Sequence, residues 1–377
     1  MEIYFFGGAG EVGRSCIMVK TKRSKILLDA GIKLGTVEER PKISVEEIKS
    51  LDGVFITHAH LDHCGFLPHL YSSGYTKEVY ATKPTIELSN VIISDYLRIS
   101  KPGGVTKEGL AMLAKHQKIV DYDKDFRFND LTIRFINAGH ILGSALISVS
   151  DGTTTLLYTG DINLASTKLL KGAEVKGLKA DTLIMESTYG SKTDVFPKRD
   201  EVTGKLIESI KETILSGGKV IIPTFAVGRG QEILLLLDDY VNSGRIPKVP
   251  IYIDGMINRA MRIHRHNVIF CREELQKRIL MSDYDPFKSP NFIPVEKKGE
   301  RNKIASDDSS SIIVTTSGMI VGGPVLFYLS RLAGNSLNKL ILVGYQAEGT
   351  LGRALQDGAK EVTINHSKVK VELKVEK

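Results

Sequence analysis

Four side chains that commonly bind metal ions fall within six residues: His58, His60, Asp62 and His63. They follow the apolar run Gly53–Thr57, which predicts a buried strand. Alternate side chains of an extended segment point the same way, so the first two histidines are expected to bind one ion while the aspartate and the third histidine turn toward a second. Imidazole and carboxylate groups suit Zn²⁺, and paired zinc ions favour hydrolysis of phosphate esters. The run therefore predicts a two-zinc hydrolytic centre.

Two later residues are candidates for the remaining ligands. His140 lies in the sequence Ala-Gly-His-Ile-Leu-Gly, and Asp161 follows Gly160 in Tyr-Thr-Gly-Asp. Each comes after a predicted strand, and the neighbouring glycines let the backbone approach a site closely. A lone loop histidine or turn aspartate is more often structural, but together with the first cluster both are expected to be ligands.

A second His-x-His spacing occurs at His264 and His266. These histidines lie among Arg259, Arg262 and Arg265, with no carboxylate residue between them. This composition favours a solvated or phosphate-facing basic helix over a second metal site.

The bulk composition describes a globular, weakly basic chain. Of its 377 residues 42% are hydrophobic, and Lys plus Arg exceed Asp plus Glu by 51 to 44, with a pI near 9.0. A positive field favours polyanions such as nucleic acid. Three widely separated cysteines fit a reducing cytoplasm. The first residues lack a signal-peptide pattern, and the longest aliphatic run, Ile233–Leu237, falls far short of the roughly 20 residues that a membrane span needs.

The elements that must position these residues change in character near residue 195. The first half predicts a helix at Thr85–Leu97 and is otherwise rich in short strands bounded by Gly, Asp or Asn. The expected strands are Ile3–Phe6, Ser15–Val19, Lys25–Leu28, Gly53–Thr57, Leu131–Asn137, Ala145–Val149, Thr154–Thr159 and Thr182–Glu186.

In the second half, strands alternate with amphipathic helices. The first helix is expected to be capped by Asp200 and to end at Gly217, just before the strand Val220–Ile222. Alternation of this kind indicates parallel strands with helical crossovers, a small doubly wound domain. Residues 283–308 read as a long surface connection, and residues 361–377 as two strand-like pieces.

These motifs resemble the metallo-β-lactamase superfamily, and specifically its β-CASP nucleases, among which the chain is most similar to archaeal relatives of the endonuclease subunit of cleavage and polyadenylation specificity factor. The resemblance implies an αββα metallo-β-lactamase sandwich with an inserted parallel-sheet, Rossmann-like β-CASP domain. The expected boundaries are 1–194 for the first part, 195–340 for the β-CASP domain, and 341–377 for a return to the metallo-β-lactamase domain.

The resemblance also assigns roles to carboxylates. Asp29, in Leu-Leu-Asp-Ala-Gly, matches a residue that orients a ligand histidine. The first cluster matches the family's second motif, with Asp62 counted among the catalytic residues as well as the ligands, and His140 matches the third. Asp161 is similar to the aspartate that bridges both metals, and Glu186 to a carboxylate that holds a catalytic histidine.

Three stretches of the second half look like β-CASP signatures: residues 222–232, residues 252–256 and residues 316–319. Each is a strand end that leads into a glycine-bearing turn and a helix, which directs backbone N–H groups at anions. We expect Arg229, Ser317 and Gly318 to contact the phosphate backbone of single-stranded RNA.

The sequence departs from the family pattern at one place. The family continues into a serine-x-histidine motif and a further histidine ligand, whereas this sequence stops at Lys377; His366 lacks the surrounding pattern. The chain is then a truncated polypeptide, half of a split protein or a degenerate paralogue, and its retained ligands argue against the third. We expect a partner polypeptide to supply the missing histidines, with a homo-oligomer as the alternative.

The resulting hypothesis is a cytoplasmic, zinc-dependent RNA endonuclease of the mRNA 3′-end or RNA-processing type. It has two ions per complete site and an accompanying 5′-to-3′ exonuclease activity. The isolated chain is expected to have weak or no activity. Two alternatives remain open: a non-catalytic RNA-binding scaffold subunit, and a small-molecule hydrolase of the same superfamily. The roughly 150-residue insertion after Glu186 argues against the latter. DNA also remains open as a substrate.

Overall fold

The computed structural model describes residues 1–35, 37–282 and 284–377. It divides into two compact units. The first contains Met1–Gly190 together with Ile269–Arg272, and the second contains Ser191–Val268 and Glu273–Lys377. Among the described residues, none of the helices has the length and apolar character needed to cross a membrane.

The first unit contains two sheets. One has six strands in chain order, antiparallel from the first to the third and parallel thereafter: β1 (Glu2–Gly7), β2 (Cys16–Lys20), β3 (Lys25–Leu28), β4 (Gly53–Phe55), β5 (Val79–Ala81) and β6 (Gln117–Ile119). The other comprises β7 (Phe126–Phe128), β8 (Leu131–Asn137), β9 (Ala145–Ser150), β10 (Thr155–Tyr158) and β11 (Thr182–Ile184). Its order is β11-β10-β9-β8-β7, with only the β10–β11 pair parallel.

The core of the first unit lies between and beside these sheets. Alternating side chains of the six-stranded sheet, such as Leu28 and Phe55, pack against Ile133 and Ile147 of the other sheet. The opposite face packs on the helices α1 (Val45–Ser50), α2 (Leu61–Cys64), α3 (Leu67–Ser72), α4 (Lys83–Ser100) and α5 (Lys107–Lys115). This layering and the parallel sheet of the second unit, described next, confirm the expected mixed α/β fold class.

The second unit is a parallel sheet with helical crossovers. Its strands are β12 (Val220–Pro223), β13 (Ile251–Asp254), β14 (Phe292–Val295), β15 (Ile312–Thr315), β16 (Lys339–Ile341) and β19 (Lys374–Glu376), in the order β14-β13-β15-β12-β16-β19. Its helices are α6 (Arg199–Leu215), α7 (Arg229–Asn242), α8 (Ile257–His266), α9 (Glu273–Met281), α10 (Lys298–Ser306), α11 (Pro324–Leu332) and α12 (Leu351–Gln356). A separate hairpin pairs β17 (Glu361–Ile364) with β18 (Ser367–Lys370).

The structure corrects the expectation that residues 341–377 return to the first domain. They lie in the second unit, where β19 pairs in parallel with β16. An ion pair between buried Lys339 and partly exposed Glu376 stabilises this pairing, because Lys339 Nζ lies 2.7 Å from Glu376 Oε1. The final alternating run contributes one strand to each of two sheets. The chain leaves the hairpin after β18 and enters the parallel sheet at Lys374.

Two smaller expectations also differ from the structure. Asp200, expected to be the N-cap, lies within the first turn of α6. The N-cap position is Lys198, so the helix begins two residues earlier than expected. The connection expected at residues 283–308 contains β14 and α10, although Asp283 itself lies outside the described residues.

Candidate metal centre

The histidine-rich turn follows β4 and forms α2, with His60 at its N-cap. It lies against residues 30–32, because Ala30 N donates to His63 O at 2.7 Å. A Cβ added to Gly31 would lie 1.6 Å from Asp62 O. Only glycine allows the two backbone segments to approach this closely, so Gly31 holds the metal-ligand turn in place.

His140 and Asp161 reach the same place from the other sheet. His140 lies in the β8–β9 connection, where its N–H donates to Ser144 Oγ at 3.1 Å. Asp161 follows β10 through Gly160, whose φ is +50°. A Cβ on Gly160 would lie 2.6 Å from Thr57 Oγ1, so this turn also approaches the first sheet through a glycine.

One group of four side chains is arranged to hold an ion. The ligand atoms of His58, His60, His140 and Asp161 all lie within 4.8 Å of one another. Asp161 Oδ2 is 3.5 Å from His140 Nε2 and 3.8 Å from His58 Nε2. Ligands bound tetrahedrally to one zinc ion are roughly 3.4 Å apart, so these residues fit such an ion after small adjustments.

A second group adjoins the first and shares its aspartate. Asp161 Oδ1 lies 3.3 Å from His63 Nε2, which in turn lies 3.7 Å from Asp62 Oδ2. The two oxygens of Asp161 therefore face different sets of ligands. The structure brings together all six residues proposed as ligands from the sequence.

Electrostatics also favour a cation at this position. Burial, reinforced by His63, holds the pKa of His58 well below its ordinary value, and His58 Nε2 has no hydrogen-bond partner among the described residues. Burial opposes ionisation of Asp161, but the neighbouring histidines nevertheless hold its pKa well below the usual range. Burial likewise disfavours the charged form of His63, yet Asp161, Asp62 and Asp29 raise its pKa well above the ordinary value. A buried, unpaired imidazole nitrogen beside an ionised carboxylate is the donor set that a metal ion requires.

Asp29 lies beneath both groups and is fully buried. Its Oδ2 accepts from His63 Nδ1 at 2.7 Å and from Tyr158 OH at 2.8 Å. Its Oδ1 accepts from Thr57 N at 2.7 Å. Sequence reasoning identified Asp29 but missed the supporting roles of Thr57 and Tyr158; their positions beside ligand motifs were the available signal.

Glu186 follows β11 and lies beside the Asp161 turn. One of its oxygens, Oε1, accepts from Ile162 N at 3.4 Å, and Oε2 accepts from Thr188 N at 3.1 Å. These bonds fix the carboxylate next to the residue that follows Asp161.

The three residues proposed to bind RNA lie in the second unit. Arg229 is exposed at the start of α7, and Ser317 and Gly318 follow β15, so all three lie at the carboxyl edge of the parallel sheet. The Ser317 hydroxyl donates to Gly322 O at 3.0 Å and accepts from Val321 N at 3.1 Å. It therefore shapes its own loop, whereas the Arg229 side chain is exposed to solvent.

The second His-x-His pair is divided between interior and surface. His264 is buried, donates from Nδ1 to Ala260 O at 2.7 Å and packs near Phe287, whereas His266 is exposed. The expectation of a solvated basic helix is therefore wrong for His264, because the apolar face of α8 includes it. Exposed Arg259 and Arg262 retain the basic character of the outer face.

Comparisons with known proteins agree with this architecture. A metallo-β-lactamase superfamily domain profile matches residues 18–188, and a β-CASP domain profile matches residues 230–355. A crystal structure of a protein of unknown function from Enterococcus faecalis has a similar fold, with a TM-score of 0.53 at 13% identity over 90% of this chain and 80% of that one.

Sequence relatives are archaeal proteins called transcription termination factor FttA. The chain is 41% identical to the protein from Methanocaldococcus jannaschii, 38% to that from Cenarchaeum symbiosum and 38% to that from Pyrococcus horikoshii, over 97% of its own length in each case. It spans only 58 to 59% of the length of these relatives. The chain thus belongs to the β-CASP group of the metallo-β-lactamase superfamily and is a homologue of the archaeal FttA proteins.

Proposed function

We propose that the protein is a zinc-dependent ribonuclease that cleaves single-stranded RNA internally during transcription termination or RNA 3′-end processing. The observation that carries the proposal is the division of the Asp161 oxygens between two adjoining ligand groups. A carboxylate shared in this way is the arrangement by which two ions are held close together in hydrolases of phosphate esters.

Each residue of the centre has a definable task. Two zinc ions would supply Lewis-acid activation of water and of the phosphodiester. His58, His60 and His140 would hold one ion through neutral imidazole nitrogens, and His63 would hold the other. Asp62, whose side chain is 36% exposed, is the carboxylate that can accept a proton from the attacking water, and Asp29 keeps His63 oriented.

RNA as the substrate is supported by charge and by the relatives. The chain has a formal net charge of +7, and Arg229 is exposed at the carboxyl edge of the parallel sheet, where helix N-termini favour phosphates. The relatives are named as transcription termination factors, which act where nascent RNA is present. A 5′-to-3′ exonuclease activity at the same centre belongs to this proposal.

A partner polypeptide belongs to the same proposal. Among the described residues, the second ligand group contains Asp62, His63 and Asp161, one fewer than the first. Beside it, β11 is the edge strand of its sheet, and Leu183 and Met185 are 56% and 60% exposed. An exposed apolar edge is a site for strand addition, by which a partner would bring a further histidine and a general acid next to Glu186.

The test compares cleavage and metal content in one preparation. Labelled single-stranded RNA is incubated with the zinc-loaded chain, alone and with the polypeptides that co-purify with it, and zinc is counted by mass spectrometry. Asp161→Ala should abolish cleavage and remove both ions, whereas the exposed control Asp308→Ala should change neither. Undiminished cleavage by Asp161→Ala would refute the assignment.

A further inference from the structure

Thr57 lies between the buried carboxylate of Asp29 and the first ligand histidine. Its Oγ1 is 2.8 Å from Asp29 Oδ2 and 3.0 Å from His58 Nδ1. All three residues are at most 1% exposed, so both contacts are shielded from bulk solvent. The direction of the single Thr57 hydroxyl proton therefore determines whether His58 Nδ1 must donate a hydrogen bond to Oγ1 or accept one from it.

The proton is assigned by the chemistry of the acceptors. An ionised carboxylate can only accept, so the Thr57 hydroxyl donates to Asp29. The remaining lone pairs of Oγ1 then face His58 Nδ1, which has to carry a proton to make a hydrogen bond. The opposite arrangement would leave two oxygen atoms 2.8 Å apart with no proton between them, in a site shielded from bulk solvent.

From this geometry we infer that Thr57 is a positioning residue that fixes His58 in the Nδ1–H tautomer and so presents the bare Nε2 to the metal. The direct bond from His63 Nδ1 to Asp29 likewise keeps a proton on Nδ1 of His63. One buried carboxylate thereby holds the Nδ1 protons of two ligand histidines, directly for His63 and through the threonine hydroxyl for His58. The inference rests on the proposed metal function for its purpose, but the tautomer itself does not depend on a bound ion.

A third contact adds to this role. Thr57 O accepts from Ala145 N at 2.9 Å, and Gly160 leaves the space that the Thr57 side chain occupies. Thr57 therefore also contacts the turn that carries Asp161. Outer residues that orient metal ligands typically change metal affinity by roughly 10- to 100-fold when they are removed.

The decisive experiment uses nitrogen-15 NMR of the metal-free full chain labelled in its histidines, with His58→Gln used to assign the His58 signals. At neutral pH the wild-type His58 should carry its proton on Nδ1. A wild-type His58 that carries its proton on Nε2 would overturn the inference. This measurement needs no substitution of Thr57, so it does not depend on whether such a variant folds.

Variants then connect the tautomer to metal binding. Thr57→Val removes the hydroxyl at nearly constant volume, and it should weaken zinc binding to the His58 group by roughly 10- to 100-fold and mix the two tautomers. Thr57→Ser should restore both. Thr213→Val is the matched control, because Thr213 is also a buried threonine whose hydroxyl donates to a backbone oxygen, Ser209 O, at 2.9 Å.

The outcomes separate this inference from the proposed function. Unchanged zinc affinity in Thr57→Val, or equal losses in Thr57→Val and Thr57→Ser, would overturn the positioning role. If the wild-type chain binds no zinc but His58 is the Nδ1–H tautomer, the proposed function fails while the assignment of the tautomer holds.

Discussion

Gly31 faces the peptide oxygen of Asp62 so closely that a Cβ would lie 1.6 Å from it. Gly31→Ala should therefore displace the metal-ligand turn or unfold it, and we expect a loss of stability of about 3 kcal/mol or more together with loss of zinc. Chemical denaturation and metal analysis measure the two effects. Gly299→Ala is a suitable control, because Gly299 has open space around it. Gly152→Ala is not, because the φ of Gly152 is +88° and alanine would be strained there. Normal zinc content in Gly31→Ala would contradict the role of this contact.

The variant Asp29→Asn should distinguish the effect of the shape of the Asp29 side chain from the effect of its negative charge. The amide retains the shape of the carboxylate but offers only one acceptor atom, so it cannot satisfy both His63 Nδ1 and Thr57. Zinc affinity should fall by roughly 10- to 100-fold at both ligand groups. Competition with a chromophoric chelator measures the loss, and a loss confined to one group would contradict a shared carboxylate.

His264 should make the second unit less stable in acid. Burial lowers the pKa of His264 to about 4, below that of an exposed histidine, so the unfolded chain binds the proton more readily. Stability should therefore decrease as the pH falls from about 6.5 to about 4, by about 3 kcal/mol, and this contribution should be constant outside that window.

Urea denaturation at pH 7.5 and pH 5 tests this dependence. His264→Met should reduce the slope over the window, and His266→Gln, an exposed histidine in the same helix, should leave it unchanged. An identical slope in His264→Met and in the wild type would show that other groups cause the acid sensitivity.

The Lys339–Glu376 pair should contribute to the stability of the parallel sheet. Lys339 is buried and also donates to Ser209 Oγ at 2.9 Å, whereas Glu376 is 42% exposed. Glu376→Gln leaves the buried ammonium with a weaker partner, and we expect a loss of about 1 to 3 kcal/mol in urea denaturation. A double-mutant cycle with Lys339→Met isolates the pair, and additive effects would indicate that the two side chains act independently.

Local patterns were sufficient to predict much of this molecule. The ligand turn lies within six residues, and the strands Lys25–Leu28 and Leu131–Asn137 have the predicted bounds because apolar alternation and flanking turn residues define them. The alternating second half likewise predicted a parallel sheet, which the structure confirms. These features depend on residues that are neighbours in the chain.

What could not be predicted depends on distant neighbours. Tyr158 supports Asp29 from 129 residues away, and no local pattern indicates such a contact. The short helices α1, α3 and α5 were missed because tertiary packing stabilises helices of six to nine residues more than their own propensities do. The position of β19 was predicted wrongly since its apolar alternation suits any sheet, while Lys339 and Ser209 select the parallel one.

The parallel pairing of Val220 with Lys339, and of Lys339 with Lys374, also bears on how the chain folds during synthesis. Residues 1–190 form nearly all of the first unit and leave the ribosome as one stretch, whereas the second sheet joins strands separated by more than a hundred residues. Pairings of such long range are slow, since loop closure costs entropy before contacts form. The histidine-rich turn should therefore be folded while the parallel sheet still lacks its last strand. A ribosome-stalled chain whose emerged part ends at Gly190 should already protect this turn from proteases.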